Sequence, residues 1–248
     1  MNAPTSLRDL ARADLFFGLA NAFAPNALTA KESLHRFLDL REPLALAGLS
    51  AGPWGELLGS LLERLETEDM DALRASHDLL FGANAVCPPW ECSYVPRDRG
   101  AILGDVAAFH RAFGVGLDAT WHERIDHISA EFELLAILHV MSARALEAGA
   151  AEDIEITQAA IQSLSRDHLD EWLPSFCARL VESDVSEWHA MLGALTLEYW
   201  LALHGDHELV ARGRRLPLLD DGDDLACAAL VTDGAQTALQ ASTGATEP

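Results

Sequence analysis

Hydrophobic residues recur at helical spacing along most of the chain. Near the N-terminus, Phe16, Leu19, Ala20 and Phe23 stand at positions i, i+3, i+4 and i+7, which places them on one face of a helix. Similar stripes of hydrophobic residues cover 54–65, 70–81, 102–113, 169–180 and 188–199. No segment alternates with the period of two that a half-buried strand requires. The pattern therefore predicts an all-α fold, a compact bundle of about ten helices.

The periodicity also indicates where the helices begin and end. Thr29 and Glu32 have the spacing of a capping box, which predicts that the second helix begins there and ends at Pro43 at the latest. Residues 82–100 have no period and are predicted to form a long ordered loop or a linker. Residues 128–148 are apolar on nearly every face, which is typical of a central, buried helix.

The breaks in the pattern suggest how the domain is divided. Gly114-Val115-Gly116 ends the helix that follows the long loop. We therefore expect a single helical domain over residues 1–225, with halves at about 1–115 and 116–225 that are joined by a loop or hinge. Residues 226–248 lack a packing face and are expected to form a mobile C-terminal tail.

The charge of the chain restricts the class of its partner. The formal net charge is −22, and a single lysine, Lys31, accompanies sixteen arginines. A nucleic-acid partner is excluded because phosphate binding needs a basic surface. An acidic surface suits a cationic partner, although such a charge can also serve solubility alone.

Residues 1–12 show no secretory signal, and no apolar run reaches the roughly 18 residues of a membrane span. We expect a cytoplasmic protein with no integral membrane association.

Neither the cysteines nor any catalytic motif predicts an enzyme. Cys87 and Cys92 are separated by four residues that include two prolines, and no second Cys or His pair has zinc spacing. We interpret the cysteines as reduced thiols, and the roles of Cys87 and Cys92 stay open. The sequence has neither a Gly-x-Ser-x-Gly motif nor a Walker-type phosphate loop. We therefore predict no catalytic residues and no cofactor.

The densest polar cluster allows one alternative, a metal-binding helical-bundle enzyme. Its ligands would come from His122, Asp126, His127 and Glu131, and His127 and Glu131 share a helical face as i and i+4. Di-metal bundles place Glu-x-x-His on each of two helices. In this chain the motif occurs only at residues 32–35, so we predict no metal site and keep the metalloenzyme as the alternative.

The aperiodic loop carries the aromatic residues that are best placed to bind a ligand. Trp90 and Tyr94 lie beside Glu91, so their rings are expected to be part exposed and the carboxylate is expected to be free to meet a cation. The alternative is that both rings pack the loop onto the bundle. Most other tryptophans lie among leucines at helical spacing and are expected in the core.

Five segments, in order along the chain, resemble the TorD-like family of redox-enzyme maturation chaperones, which includes the TorD, DmsD and NarJ types. The segments are Leu79-Leu80-Phe81, the loop from Pro89 to Tyr94, Phe109 to Gly114, Asp126 to Phe132 and His168 to Phe176. Asp126-His127-Ile128-Ser129-Ala130-Glu131-Phe132 is the most specific, since it resembles the family's Asp-His-Ile/Leu-x-x-Glu-Leu motif. The chain departs from the family where Cys92 separates Glu91 from Ser93, and where Phe109 replaces a tyrosine.

The resemblance implies an all-helical chaperone without enzymatic activity. Members of the family bind the apo catalytic subunit of a DMSO-reductase-family molybdoenzyme, commonly through its twin-arginine leader, and hold it until the molybdopterin cofactor is inserted. The client and its leader peptide are therefore the expected partners, and maturation before export or assembly is the expected function.

The family binds peptide near the loop and the Asp-His segment, which implies a peptide-binding role for Glu91, Tyr94, Asp126 and His127. We add Trp90 because of its place in the loop, and Glu131 because a leader with fixed positive charge needs carboxylates beside an apolar groove. Asp126 can also cap the helix that is expected to start at His127. A plain helical adaptor for another partner is a third hypothesis. The sequence predicts neither the client's identity nor the oligomeric state.

Overall fold

A computed structural model describes residues 4–24, 31–48, 53–117, 121, 123–204 and 218. Ten α-helices occur in these residues, eight of them with twelve or more residues. They are α1 (Thr5–Phe23), α2 (Lys31–Phe37), α3 (Arg41–Leu46), α4 (Trp54–Thr67), α5 (Met70–Phe81), α6 (Arg99–Ala112), α7 (Ile128–Ala148), α8 (Ala151–Leu164), α9 (Asp170–Glu182) and α10 (Glu187–His204). A 3₁₀ turn, Glu91–Ser93, precedes α6, and a π-helical turn, Ser165–Leu169, joins α8 to α9.

The prediction of an all-α fold is confirmed. Within the described ranges there is no β-strand, and the single isolated antiparallel bridge pairs Trp90 with His127. None of the described helices is long and apolar enough to cross a membrane. The division into two halves around a hinge stays a prediction. The predicted cap at Thr29 and the predicted tail over 226–248 lie outside the described residues.

Helix α7 is the central helix, as its apolar sequence predicted. It packs against α1 on one side and α8 on another, while α9 packs against α10 and α10 packs against α4. Phe132 of α7 lies 5.6 Å from Phe16 of α1 between ring centroids, and Phe16 lies 5.3 Å from Tyr199 of α10. All three rings are buried. Burial of these aromatic rings provides a large share of the hydrophobic stabilisation of the bundle.

Two local features follow from backbone chemistry. Pro43 lies in the first turn of α3, where its missing N–H has no intrahelical partner to lose. Gly149 ends α7 with a φ of +66°, a left-handed conformation that glycine adopts without steric cost. The π-helical turn inserts a wider turn before α9, and such turns frequently occur at functional sites.

Candidate functional site

The long loop is tied to the start of α7 by main-chain hydrogen bonds. The amide of Glu91 donates to the carbonyl oxygen of Asp126 at 3.1 Å, and the amide of Ile128 donates to the carbonyl oxygen of Pro89 at 2.9 Å. These two bonds flank the bridge between Trp90 and His127. The loop is therefore ordered and joined to the bundle, and it brings the six predicted peptide-binding residues into one region.

Six charged or titratable side chains meet where the loop, the start of α7 and the π-helical turn converge. We call this group the polar junction, and its members are Glu91, Arg97, Arg124, Asp126, Glu131 and His168. The three carboxyl side chains are completely buried. Buried charges of this kind are stable only when they are paired or neutralised.

Asp126 joins the turn before α7 to the loop. Its two oxygens accept from Nε and Nη2 of Arg124 at 2.9 and 2.8 Å, and Oδ2 also accepts from the amide of Cys92 at 3.1 Å. The expectation that Asp126 caps α7 is wrong, because the N-cap is His127. Nδ1 of His127 accepts from the amide of Ser129 at 3.1 Å. Asp126 therefore holds the loop rather than the end of the helix.

His127 stays neutral at physiological pH. Burial, together with the nearby His77 and Arg124, lowers the pKa of His127 to about 3. Its Nδ1 accepts a hydrogen bond, which also requires that this nitrogen carries no proton. The ring is therefore a polar cap and does not supply positive charge to the site.

Glu91 is paired within the chain, so the expectation of a free carboxylate is wrong. Its Oε1 accepts from Nη2 of Arg97 at 2.8 Å, and its Oε2 lies 2.8 Å from Nδ1 of His168. The pairing brings the π-helical turn against the loop, because His168 lies in that turn. A buried carboxylate with two such partners is held by charge-assisted hydrogen bonds.

The two aromatic residues of the loop differ in exposure. Tyr94 is buried against Trp172 and Phe176, with ring centroids 5.6 and 6.3 Å away, so the alternative of loop packing is confirmed for this residue. Trp90 is only half-buried, and the guanidinium carbon of Arg124 lies 5.5 Å from its ring centroid. Trp90 is thus the one predicted peptide-binding residue of the six that is not fully buried.

Glu131 binds its proton more strongly than an ordinary glutamate does. Burial, followed by the charges of Glu91 and Asp126, raises the pKa of Glu131 well above its usual range. Its Oε2 accepts from Nε1 of Trp172 at 3.2 Å. A neutral carboxyl group avoids a third negative charge beside the two carboxylates. The peptide-binding role assigned to these six residues stays a prediction.

The side chains that pair with Glu91 and Asp126 were not predicted from the sequence. Arg97, Arg124 and His168 were not assigned a role, although His168 lies in one of the segments that resemble the chaperone family. Arg124 could have been found, since it stands two residues before Asp126. His168 lies 77 residues from Glu91, and spacing along the chain does not reveal such a pair.

The described residues give little support to the metalloenzyme alternative. Among them, no group of three or more His, Cys, Asp or Glu side chains is arranged to hold a metal ion, and His122 lies outside them. Both oxygens of Asp126 face Arg124, and Nδ1 of His127 is used as a cap. Cys87, Cys92 and Cys177 are buried and unbridged, and burial raises the pKa of Cys87 to about 11.

Comparison with known families gives one match. The family model described as nitrate reductase delta subunit matches residues 48–178, which is more than half of the chain. The matched region contains the loop, the whole polar junction and the π-helical turn. Comparisons with curated proteins and with solved structures found no match.

Proposed function

Because the chain belongs to the nitrate reductase delta subunit family, a family of chaperones for molybdoenzyme maturation, we propose that its client is the apo catalytic subunit of a DMSO-reductase-family enzyme. The chaperone binds this subunit in the cytoplasm before export or assembly and keeps it competent for insertion of the molybdenum cofactor. The family match over residues 48–178 is the observation that carries the proposal.

The proposed contact is the client's N-terminal twin-arginine leader. A leader combines fixed positive charge with an apolar stretch, and the chain has a net charge of −22. Trp90 is half-buried and lies beside the polar junction, next to Arg124. Glu91 and Asp126 support the proposal differently, because their hydrogen bonds hold the loop that contains Trp90. Tyr94 packs the same loop onto α9. Electrostatic complementarity of this kind speeds association and favours one class of partner.

A capture experiment tests this function. The purified chaperone is mixed with the unprocessed, cofactor-free client and, separately, with the mature enzyme that contains its cofactor. We expect capture of the first form only, and capture that weakens as salt is raised, since exposed charges are screened. A client whose two leader arginines are replaced by lysines is the matched control, because charge is kept and the planar guanidinium is lost. Equal capture of the mature enzyme would contradict a role in maturation.

A further inference from the structure

Three oxygen atoms at the edge of the polar junction surround one guanidinium group. Nη2 of Arg97 lies 2.8 Å from Oε1 of Glu91, 2.9 Å from the carbonyl oxygen of Asp167 and 3.4 Å from Oε2 of Glu171. We call these three acceptors the guanidinium site. A guanidinium group fits this site, because Arg97 occupies it, and guanidinium is always charged.

The acceptors form a site that is deep at one end and open at the other. Glu91 is completely buried, whereas the side chain of Glu171 is 45% exposed at the mouth. The carboxylate of Asp167 is occupied by Arg166, which donates to it at 2.7 and 2.8 Å. The carbonyl oxygen of Asp167, in the π-helical turn, provides the third acceptor. The site therefore combines a buried negative charge with access from solvent.

Arg97 is held less firmly than the other arginine of the junction. All three of its contacts in the guanidinium site use one nitrogen, and its side chain is 36% exposed. Arg124, by contrast, binds Asp126 through two nitrogens and also lies over the ring of Trp90. If Arg97 leaves, Glu91 keeps His168 on its other oxygen. Arg97 is thus the arginine that can be exchanged at lower cost.

We propose that the guanidinium site receives an arginine of the client, and that Arg97 fills this site until the client displaces it. The inference rests on the proposed function and extends it, because it names the site that binds a client arginine and the side chain that fills this site in the free chaperone. Exchange of one arginine for another leaves the number of charge-assisted hydrogen bonds nearly unchanged, so Glu91 is never left as an unpaired buried charge. The resident arginine weakens client binding, because the client must compete with it.

The test uses N-acetyl-arginyl-arginine amide as the probe, with N-acetyl-lysyl-lysine amide as its control. Both are titrated by calorimetry into the wild type, Arg97→Ala and Arg166→Ala. Arg166→Ala is the matched variant, because it removes one positive charge from a neighbouring side chain that is 70% exposed and pairs with the Asp167 carboxylate instead. We expect Arg97→Ala to bind the arginine probe about tenfold more tightly than the wild type, and Arg166→Ala to stay within about twofold. The gain should be smaller for the lysine probe.

A second variant keeps the test decisive if Arg97→Ala folds poorly. Glu171→Gln alters a half-exposed side chain at the mouth of the site and should weaken binding of the arginine probe about threefold. Arg97→Ala binding no more tightly than Arg166→Ala overturns the proposal, and so does unchanged affinity in Glu171→Gln. A different result would contradict the proposed function alone. In that case the wild type captures no apo client, although Arg97→Ala still binds the arginine probe more tightly than the wild type does. If the wild type captures the client but Arg97→Ala binds the arginine probe no more tightly, the chaperone function stands and the exchange of Arg97 for a client arginine is wrong.

Discussion

Phe16 and Asp126 are equally inaccessible to water, but different forces keep them in place. Phe16 packs among Phe132, Tyr199 and Trp200 in contacts that have little directional requirement. Asp126 is held by three hydrogen bonds with fixed geometry. The centre of the bundle therefore tolerates changes that preserve volume, whereas the polar junction requires particular partners. The comparison predicts opposite responses to conservative substitution in the two regions.

The largest loss of stability is expected in the centre. Phe16→Ala removes a fully buried ring between α1, α7 and α10 and should lower the free energy of unfolding by about 3–5 kcal/mol. Urea unfolding measures the loss. The control is Phe16→Leu, which keeps most of the apolar volume and should cost less than about 1.5 kcal/mol. If the two variants lose the same amount, packing volume is not what holds this residue.

A smaller loss is expected from an isosteric change in the junction. Asp126→Asn keeps the shape but removes the charge that neutralises Arg124, and we expect a loss of about 2–3 kcal/mol. This lies below the range for a fully buried pair because the Arg124 side chain is 25% exposed. Hydrogen exchange of the Cys92 amide should accelerate in the same variant, since Asp126 is its acceptor. If Asp126 were a simple helix cap, Asp126→Asn would lower the free energy of unfolding by only a few tenths of a kcal/mol. Such a small loss would contradict the role of Asp126 in the polar junction.

Substitutions at His127 distinguish a role as a helix cap from a role as a charged side chain. His127→Ala removes the acceptor for the Ser129 amide and should cost about 1 kcal/mol at pH 7, while His127→Asn should restore most of the loss. The pKa of His127 is lowered to about 3 in the folded chain, so between about pH 6.5 and pH 3 the unfolded chain binds the extra proton. The wild type therefore loses stability as pH falls through this window, and its advantage over His127→Ala should shrink. An advantage that grows on acidification would show that the folded ring is protonated.

The smallest effect at acidic pH is expected from Glu131→Gln. The pKa of Glu131 is raised in the folded chain, so above its ordinary range the folded state binds more protons than the unfolded state. The wild type loses stability as pH rises towards that raised pKa, whereas the glutamine has no proton to lose. We expect the variant to equal the wild type near pH 5 and to become the more stable of the two at pH 8. Thermal melting at the two pH values measures this difference, and a variant that is much less stable at both values would contradict the raised pKa of Glu131.

The central helix was predictable because its sequence carries the signal by itself. Residues 128–148 are apolar on nearly every face, and α7 is buried along most of its length. Helix α8 was not assigned, because the residues it buries, Thr157, Ala160 and Leu164, make a weak hydrophobic stripe. Periodicity detects helices with large apolar faces and passes over those that pack through small or polar residues.

The candidate site was predictable only in part. The sequence motifs identified Glu91, Asp126 and Glu131 as candidate site residues, and all three lie in the polar junction. The burial of Glu91 was not expected, because a polar loop between helices ordinarily lies on the surface. Its partners were missed because Arg97 and His168 reach Glu91 from elements that are placed by the tertiary fold.

The central claim, that the chain serves molybdoenzyme maturation, is tested most directly in its native host. The gene is deleted, and the molybdenum bound to each DMSO-reductase-family catalytic subunit is quantified by mass spectrometry relative to the polypeptide. We predict that at least one catalytic subunit is still synthesised but loses most of its molybdenum, and that the wild-type gene restores it. Full molybdenum occupancy of every such subunit in the deletion strain would contradict the account.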